Sequence, residues 1–418
     1  MRIKKSFLQK LIAFLSATSI CFCYYSLHFF LWALILLLLL VLAYSNGLKI
    51  PRYRNTEEWI FLGLFWILGA LYSNDPLRGL KYSVTYVVII CTAIMFTKHK
   101  AIYRYFIKYL YIESLIHVVA TILRQIKPEM VDAICKRIMP ASMYALQSAF
   151  INAASLNGNL GITTQTGWNA FYLLIAFCIS ISYLLVKGEK RRWLYLCACG
   201  SSFVSILLTN KRSYLVATIV VLILFFLLYG NIKISKKKFW SICGGGIAIV
   251  VGATLAYRLI PELGNVFNKI VVLGSTGSLN TMSSGRINIY QNMIEKLASI
   301  ERILFGYGTG STYVVMGIDG HNIYLQLLFE NGILVALLFV YVFVRNILNA
   351  AKAVRGGIKE NVEFEECVMI NFSFCIQIAF LIIGLLANPL YDTPMFFLYL
   401  VLVFLLNVFK VRSNDVVK

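Results

Sequence analysis

The sequence predicts an all-α protein that crosses a membrane many times. Apolar residues make up 60% of its 418 positions and charged residues only 14%, with a mean hydropathy of +0.77. Ordinary soluble domains do not have this balance. The apolar residues form long continuous runs that do not alternate with period two, and in lipid only helices or closed barrels can satisfy the backbone. A bundle of transmembrane helices is therefore expected.

Short charged segments separate about twelve apolar runs, each of which is predicted to be a spanning helix. In chain order the predicted spans are 11–27, 29–45, 59–72, 82–96, 103–123, 167–186, 193–208, 213–229, 239–257, 321–344, 367–387 and 395–409. These spans predict three regions. Residues 1–257 form a membrane bundle with an outer loop at 124–166, residues 258–320 form a second outer loop, and residues 321–418 contain the last three spans and a cytoplasmic tail.

The distribution of Lys and Arg predicts the orientation of the bundle. Basic residues accumulate in cytoplasmic loops, and here the basic clusters fall in alternate loops, among them 4–5, 190–192 and 236–238. Both termini are therefore expected inside, and the two long polar loops are expected on the outer face. Topology alone then accounts for most of the net charge of +21, and no nucleic-acid partner is needed to explain it.

The short stretch "TNKRSYLVA", residues 209–217, departs from this charge pattern. It places Lys211 and Arg212 in a short outer turn between two predicted spans, where basic residues are not expected. Lys211 is predicted to extend its ammonium group to the membrane surface. Arg212 is the stronger candidate for function, because a guanidinium group can bind a phosphate with two parallel hydrogen bonds.

The outer loop at 258–320 contains the stretch "SSGRINIYQNMIEKLASIERILFGYGTGS". Ser283 or Ser284 is predicted to cap an amphipathic helix that carries Arg286 in its first turn. Apolar residues recur at helical spacing along this stretch, namely Ile287, Tyr290, Ile294, Leu297 and Ile300. A flexible glycine-containing segment at 306–310 is expected to follow, and His321 begins the next predicted span.

Three ordered segments resemble the O-antigen ligase and polymerase superfamily of bacterial surface-glycan assembly. They are "LLTNKRSYLVATIVVLILF", "SGRINIYQNMIEKL" followed by "ILFGYGTG", and "HNIYLQLLFENGILVALLF". Together they extend from residue 207 to 339. The sequence departs from the superfamily pattern by having Lys211 directly before the first Arg and Tyr214 where Gly is usual. The resemblance implies a fold like that of the multi-span GT-C glycosyltransferases.

The resemblance also implies an activity and a location. The enzyme would transfer glycan from undecaprenyl diphosphate to a sugar hydroxyl, without a metal or other cofactor, on the outer side of the bacterial cytoplasmic membrane. Arg212 and Arg286 would bind the diphosphate and stabilise the charge that develops on it. His321 would be the general base, since its ordinary pKa of about 6.5 suits proton transfer near neutral pH. The supporting candidates are Lys211, Asn322, Glu330, Gly306 and Gly308.

Several alternatives remain open at this stage. A repeat-unit polymerase for O-antigen or capsule is favoured over an O-antigen ligase that uses lipid A core as acceptor. A polytopic transporter or flippase of glycolipid, and a non-catalytic member of a glycan-assembly complex, are also considered. The expected partners are the lipid-linked oligosaccharide donor, the glycan acceptor, membrane lipid and other assembly proteins. No His or Cys cluster has the spacing of a metal site.

Glu330, Glu113 and His117 lie inside predicted spans, and each can be interpreted in two ways. Glu330 could orient the catalytic residues or could be a buried, hydrogen-bonded carboxyl group. Glu113 and His117 lie four residues apart on one face of a helix, so that they could form a proton relay or join two helices. The joining role is favoured.

Overall fold

The computed structural model describes residues 5–23, 28–44, 54–96, 99–152, 158–186, 191–230, 285–359 and 362–408. All regular secondary structure within these ranges is helical, which agrees with the predicted all-α class. The helices are α1 (Lys5–Cys21), α2 (His28–Tyr44), α3 (Arg54–Leu71), α4 (Pro76–Phe96), α5 (Lys100–Ile126), α6 (Pro128–Ile138), α7 (Ala141–Asn152), α8 (Thr166–Leu185), α9 (Arg192–Leu208), α10 (Arg212–Gly230), α11 (Arg286–Lys296), α12 (Ile300–Phe305), α13 (Thr312–Met316), α14 (Ile323–Lys359), α15 (Phe364–Gly384) and α16 (Thr393–Val408).

Six of the described helices are long and apolar enough to cross a membrane, namely α4, α5, α8, α10, α14 and α15. Three shorter apolar helices are α9, α16 and the Leu34–Tyr44 part of α2. These helices identify the chain as a multi-pass membrane protein. Eleven predicted spans overlap described helices, whereas the span at 239–257 lies outside the described residues. The total of twelve crossings stays a prediction.

Helices α8 and α15 form the most enclosed part of the bundle. A cluster of aromatic rings packs between the neighbouring helices α3, α14 and α16. Trp59 lies 6.1 Å from Phe339 and 6.0 Å from Tyr399 between ring centroids, and Trp66 lies 4.9 Å from Phe339. Because lipid tails are as apolar as these side chains, close packing rather than escape from water holds such helices together.

The Glu113 and His117 pair joins α5 to α1. Thr18 Oγ1 donates a hydrogen bond to Glu113 Oε1 at 3.0 Å, and His117 Nε2 lies 2.9 Å from the carbonyl oxygen of Cys21. Thr18 and Cys21 both belong to the last turn of α1. The geometry therefore supports the joining role that was favoured for this pair.

Helix α14 is interrupted at Gly332, where the sequence predicted one continuous span. Gly332 has φ 75° and ψ 174°, outside the helical region. The break releases two backbone carbonyl groups on the preceding turn. The Phe329 carbonyl accepts the Tyr307 N–H at 2.9 Å, and the Glu330 carbonyl accepts the Gly308 N–H at 2.8 Å. A buried helix break needs such partners, because unpaired carbonyl groups are costly away from water.

The glycine segment, residues 306–310, is buried in the bundle instead of forming the expected flexible loop. Its Thr309 N–H donates to the Gly69 carbonyl at 3.1 Å, and Thr309 Oγ1 donates to the Trp66 carbonyl at 3.0 Å. Gly306, Gly308 and Gly310 all have positive φ, a conformation that glycine adopts at little cost. A Cβ at Gly308 would lie 2.3 Å from Ser73 Cα. The prediction of flexibility is therefore wrong for this segment.

The predicted amphipathic helix is present as α11, and Arg286 lies in its first turn, as predicted. It is shorter than expected, since it ends at Lys296 and Ile300 begins the separate helix α12. The predicted cap at Ser283 or Ser284 is wrong, because Gly285, with φ 81°, is the residue that caps the helix. Both serines lie outside the described residues. Of the apolar residues predicted along this stretch, Leu297 is buried and packs with Met293 against Phe329 of α14, whereas Ile294 is 60% exposed.

A glycine in α4 tests whether the glycine segment docks as described. A Cβ at Gly79 would lie 2.6 Å from the Thr309 carbonyl oxygen and 3.2 Å from Ala70 Cα. Gly79→Ala is expected to destabilise the protein by about 1–3 kcal/mol, the usual cost of overpacking. Gly200→Ala is the matched control, because Gly200 is also helical and has no heavy atom within 4 Å of the added Cβ.

The measurement is thermal unfolding of both purified variants in the same detergent. Gly200→Ala should be neutral or stabilising, since alanine is favoured over glycine in a helix by roughly 0.5–1 kcal/mol. Equal stability of the two variants would contradict the docking of Thr309 against α4.

Candidate active site

The turn between α9 and α10 presents Lys211 and Arg212 at the end of the bundle. Asn210 adopts a left-handed conformation with φ 58°, and Thr209 Oγ1 accepts the Lys211 N–H at 3.3 Å. The loop before α8 supports this turn, because the Asn159 N–H donates to the Leu208 carbonyl at 2.9 Å. Arg212 is the first residue of α10. The hydrogen bonds of the turn therefore fix the backbone that carries both basic side chains.

Helix α11 brings Arg286 to the same place. Burial lowers the pKa of Lys211, and the positive charge of Arg286 lowers it further. Burial also lowers the pKa of Arg286, where the Tyr290 hydroxyl acts in the opposite direction and Arg212 adds to the lowering. The three cations therefore lie close enough to repel one another, although they come from segments more than seventy residues apart.

His321 lies in the connection between α13 and α14 and has φ 50°. Its carbonyl oxygen accepts a hydrogen bond from the Tyr290 hydroxyl of α11 at 3.1 Å. The adjacent Asn322 caps α14, because its Oδ1 accepts the N–H groups of Tyr324 and Leu325 at 3.0 and 3.1 Å. These contacts fix the backbone at His321 relative to α11 and α14, and they give Asn322 a defined structural role.

The turn at 385–392, between α15 and α16, completes this arrangement. The Leu385 carbonyl accepts hydrogen bonds from the Tyr290 hydroxyl and from Asn322 Nδ2, both at 3.3 Å. Three separate segments therefore meet around His321.

The surroundings of His321 favour its neutral form. Burial lowers its pKa from the ordinary value of 6.5, and the positive charges of Arg286 and Lys211 lower it further, while Asp319 acts in the opposite direction. A neutral imidazole at physiological pH keeps one ring nitrogen as a hydrogen-bond acceptor. His321 can therefore accept a proton at neutral pH.

The clustered cations suit the binding of an anion. Lys211 and Arg286 are half-buried, whereas Arg212 is exposed. Their like charges raise the free energy of the empty site, and a bound polyanion would relieve that repulsion. A diphosphate matches this requirement, since guanidinium groups bind phosphate oxygens with two hydrogen bonds. The structure thus brings together Lys211, Arg212, Arg286 and His321, as the sequence predicted.

Glu330 lies below this cluster and is completely buried. Its carboxylate accepts hydrogen bonds from the Gly310 N–H at 3.0 Å, Thr312 Oγ1 at 2.6 Å and the Tyr391 hydroxyl at 2.8 Å. Gln326 Nε2 also donates to it at 3.0 Å. Glu330 therefore joins the glycine segment to α14 and to the 385–392 turn.

The contact between Glu330 and the His321 segment is indirect. Gln326 donates to Glu330 and accepts the Gly320 N–H at 3.3 Å through its Oε1. The nine-residue separation of Glu330 and His321 had predicted more than two helical turns between them. The structure therefore shows Glu330 as a buried, hydrogen-bonded carboxyl group whose connection to the His321 segment runs through Gln326. An orienting role for Glu330 stays a prediction.

Gly306 and Gly308 support the site through the backbone and do not offer their N–H groups to a ligand. The Gly306 N–H donates to the Arg302 carbonyl and the Gly308 N–H to the Glu330 carbonyl, at 2.9 and 2.8 Å. A Cβ at Gly306 would lie 2.6 Å from the Glu330 carbonyl oxygen. Their function is to allow the glycine segment to approach α14 closely.

A cavity of about 490 Å³ borders the segment that carries His321. Arg78, Trp168, Asn388 and Asp392 line it, together with Asp319. Sequence reasoning missed the first four of these residues because they lie outside the three recognised segments. The available signal was weak, consisting of charged and aromatic residues at the outer ends of predicted spans.

Comparison with known families identifies the central part of the chain. Residues 197–340 match the family model for O-antigen ligase. The match supports membership of the O-antigen ligase and polymerase superfamily, as the three sequence segments predicted. This O-antigen ligase region covers about a third of the chain. No curated protein matches the sequence.

The O-antigen ligase region includes every residue that the sequence proposed for the site, from Lys211 to Glu330. The cavity is only partly inside it, because Arg78, Trp168, Asn388 and Asp392 lie beyond its limits. The cations and His321 therefore come from the matched region, whereas these four cavity residues come from segments before and after it.

The cation cluster predicts a measurable change in the pKa of His321. Arg286→Gln removes a positive charge, which stabilises the protonated imidazole and should raise this pKa. Lys211→Gln should raise it in the same direction by a smaller amount. The measurement is an NMR pH titration of the protein labelled in its four histidines, with the His321 signal assigned from a His321→Gln variant.

Lys296→Gln is the control for this titration, because Lys296 is an exposed cation at the other end of α11 and does not act on His321. It should leave the pKa unchanged. An unchanged value in both Arg286→Gln and Lys211→Gln would show that the cations do not lie near the imidazole.

Proposed function

We propose that the protein is a glycosyltransferase that moves a glycan from undecaprenyl diphosphate to a sugar hydroxyl on the outer side of the bacterial cytoplasmic membrane. The observation that carries the proposal is the group of cations formed by half-buried Lys211 and Arg286 and exposed Arg212, beside a His321 whose pKa is lowered. The match to the O-antigen ligase family supports this type of activity. The charge distribution among the loops supports the outer location and a cytoplasmic position for both termini.

The three cations stabilise the lipid diphosphate as it leaves the sugar. In the proposed reaction the bond between the anomeric carbon and a diphosphate oxygen breaks, and negative charge develops on the phosphate oxygens. Arg212 and Arg286 stabilise this charge because they are fixed before the reaction begins. Lys211 adds a third positive charge to the same group. The repulsion among the three cations in the empty site falls as the charge on the phosphate rises.

His321 accounts for activation of the acceptor. The acceptor oxygen forms a new bond to the anomeric carbon and must lose its proton as it does so. The neutral imidazole accepts that proton and becomes positively charged beside the departing diphosphate, to which it can pass the proton on. The hydrogen bonds at the His321 carbonyl and at Asn322 hold the ring close to the diphosphate-binding cations.

Within this proposal a repeat-unit polymerase is the favoured activity, and an O-antigen ligase is the alternative. The acceptor is another lipid-linked repeat unit in a polymerase and lipid A core in a ligase. The match to the O-antigen ligase family is compatible with both activities and does not separate them. Purified protein supplied with one lipid-linked donor and each acceptor in turn separates the two activities by the size of the product.

The diphosphate role predicts large losses of activity on substitution of the arginines. Arg212→Ala and Arg286→Ala should each reduce the rate by on the order of 10²–10³-fold, by analogy with loss of a donor to a developing oxyanion. Arg→Lys at either position keeps the charge but loses the paired hydrogen bonds, and an intermediate loss is expected. The measurement is glycan transfer by purified variants with a defined lipid-linked donor.

Arg137→Ala is the control for these variants, since Arg137 is an exposed basic residue of α6 and is not part of the site. Its activity should equal that of the unmodified protein. Normal activity of both arginine-to-alanine variants at equal protein level would remove the diphosphate role.

The base role predicts that His321→Gln binds the donor but transfers glycan slowly. Glutamine keeps a polar side chain and has no useful basicity, so the rate should fall by ~10²–10⁴-fold. Donor binding to the purified variant is measured separately, with a fluorescent undecaprenyl-diphosphate oligosaccharide. A rate near that of the unmodified protein would exclude His321 as the base, and loss of donor binding together with the rate would favour a structural role.

A further inference from the structure

The cavity beside His321 has the size and position of a second binding site. Its volume of about 490 Å³ lies within the range of ~300–1,000 Å³ that is typical of small-ligand pockets. Asp319 and Gln326 line it, and these residues flank His321 in the chain. A molecule in the cavity would therefore border the segment that carries the proposed base, although His321 itself does not line the cavity.

The 385–392 turn supplies polar groups to the cavity. Asn388 Nδ2 donates to Gln326 Oε1 at 2.8 Å, whereas Asn388 Oδ1 is buried and has no hydrogen-bond partner among the described residues. Asp392 also lines the cavity, and its described side-chain hydrogen bond is a long one of 3.5 Å from the Met395 N–H. A ligand with several hydroxyl groups would satisfy these oxygen atoms, since a buried acceptor without a donor is costly.

Aromatic side chains form the apolar part of the cavity wall. Trp168, at the start of α8, is partly exposed and lines the cavity with Tyr82 and Tyr313. Large flat rings provide contact area for an apolar ligand face. The C–H face of a sugar ring is apolar and its edge carries hydroxyl groups, so a wall of this composition suits a pyranose.

The charges in the cavity favour an uncharged sugar. Its cation, Arg78, is engaged by protein groups: the guanidinium lies 4.6 Å from the Tyr313 ring centroid, and the charges of Asp319 and Asp75 act on it. The other carboxyl groups that line the cavity are Asp392 and Glu330. A sugar that carries a carboxylate would lose its solvation in the cavity, and Arg78 is already engaged by other groups, so this loss would not be compensated.

We propose that this cavity binds an uncharged sugar ring of the acceptor glycan. Trp168 packs against the apolar face of the ring, and Asp392 and Asn388 accept hydrogen bonds from its hydroxyl groups. The identity of this sugar as acceptor rests on the proposed function. The binding of a sugar in the cavity does not, and it can be measured without any transfer reaction.

The test uses saturation-transfer NMR on the full-length protein in lipid nanodiscs, with N-acetylglucosamine and glucuronic acid as probes. N-acetylglucosamine should receive saturation and glucuronic acid should not. Trp168→Ala and Asp392→Asn should each weaken binding of N-acetylglucosamine by at least about fivefold, the effect of losing one good contact. Trp193→Ala is the control, because Trp193 is 66% exposed at the start of α9 and does not line the cavity.

Milder variants keep the test decisive if Trp168→Ala does not fold. Trp168→Phe keeps an aromatic ring with less contact area, and Asn388→Leu keeps the approximate size of the side chain and removes its acceptor oxygen. Both should weaken N-acetylglucosamine binding in protein whose thermal unfolding is unchanged. Binding that is the same in Trp168→Phe, Asn388→Leu and Asp392→Asn as in the unmodified protein would overturn the proposal, as would a preference for glucuronic acid or no binding of either probe.

A transfer assay separates failure of this proposal from failure of the proposed function. If both are correct, Asp392→Asn raises the KM for the acceptor and leaves the KM for the lipid-linked donor unchanged. Transfer with an unchanged acceptor KM would overturn the sugar site alone. Sugar binding that depends on Asp392, in a protein that transfers no glycan from any lipid-linked donor, would overturn the glycosyltransferase function and leave the cavity as a sugar-binding site.

Discussion

The pairing of the glycine segment with the break in α14 is the interaction on which the candidate site depends. Two carbonyl groups freed at Phe329 and Glu330 accept the N–H groups of Tyr307 and Gly308. This exchange satisfies all four groups inside the bundle, where water is not present to do so. Positive φ at the glycines and the absence of a Cβ allow the two backbones to approach. The helix break therefore needs the N–H groups of the glycine segment, and the buried glycine segment needs the carbonyl groups that the break exposes.

Glu330 extends this interaction to the rest of the site. Its carboxylate is held by groups from the glycine segment, from α13, from α14 and from the 385–392 turn. A buried carboxyl group with so many donors fixes the relative positions of the segments that supply them. The connection through Gln326 to Gly320 then reaches the residue next to His321. The proposed base is thus positioned by a chain of contacts that begins inside the membrane bundle.

The rigid support also keeps the cations and the imidazole of the site close together. Three cations and an imidazole lie together although their charges repel one another, and the folded bundle must hold them there. Such preorganisation costs stability in the empty protein and favours the state in which negative charge is greatest. The adjacent cavity has the opposite character, with more carboxyl groups than cations. The two neighbouring sites would therefore select a charged diphosphate and an uncharged sugar.

The sequence by itself determined the helical membrane class and identified the residues that are proposed for the site. Lipid leaves the backbone few options, so long apolar runs are sufficient to predict helices. Arg212, Arg286 and His321 could be named because each lies at the end of a helix within a recognisable local pattern. The position of Arg286 in the first turn of α11 was also predicted, whereas the cap at Gly285 and the end at Lys296 were not. Packing of Met293 and Leu297 against Phe329 decided which residues of this helix are buried.

Only the tertiary structure decided how the glycine segment is used and which residues complete the site. The flexible loop predicted at 306–310 is buried because its N–H groups find partners on α3 and α14, which lie far away in sequence. Arg78, Trp168 and Asp392 come from the ends of three different helices, and no local pattern relates them. Contacts of this kind depend on how the helices pack, and helix packing is set by the shapes of side chains in the whole bundle rather than by the period of any one segment.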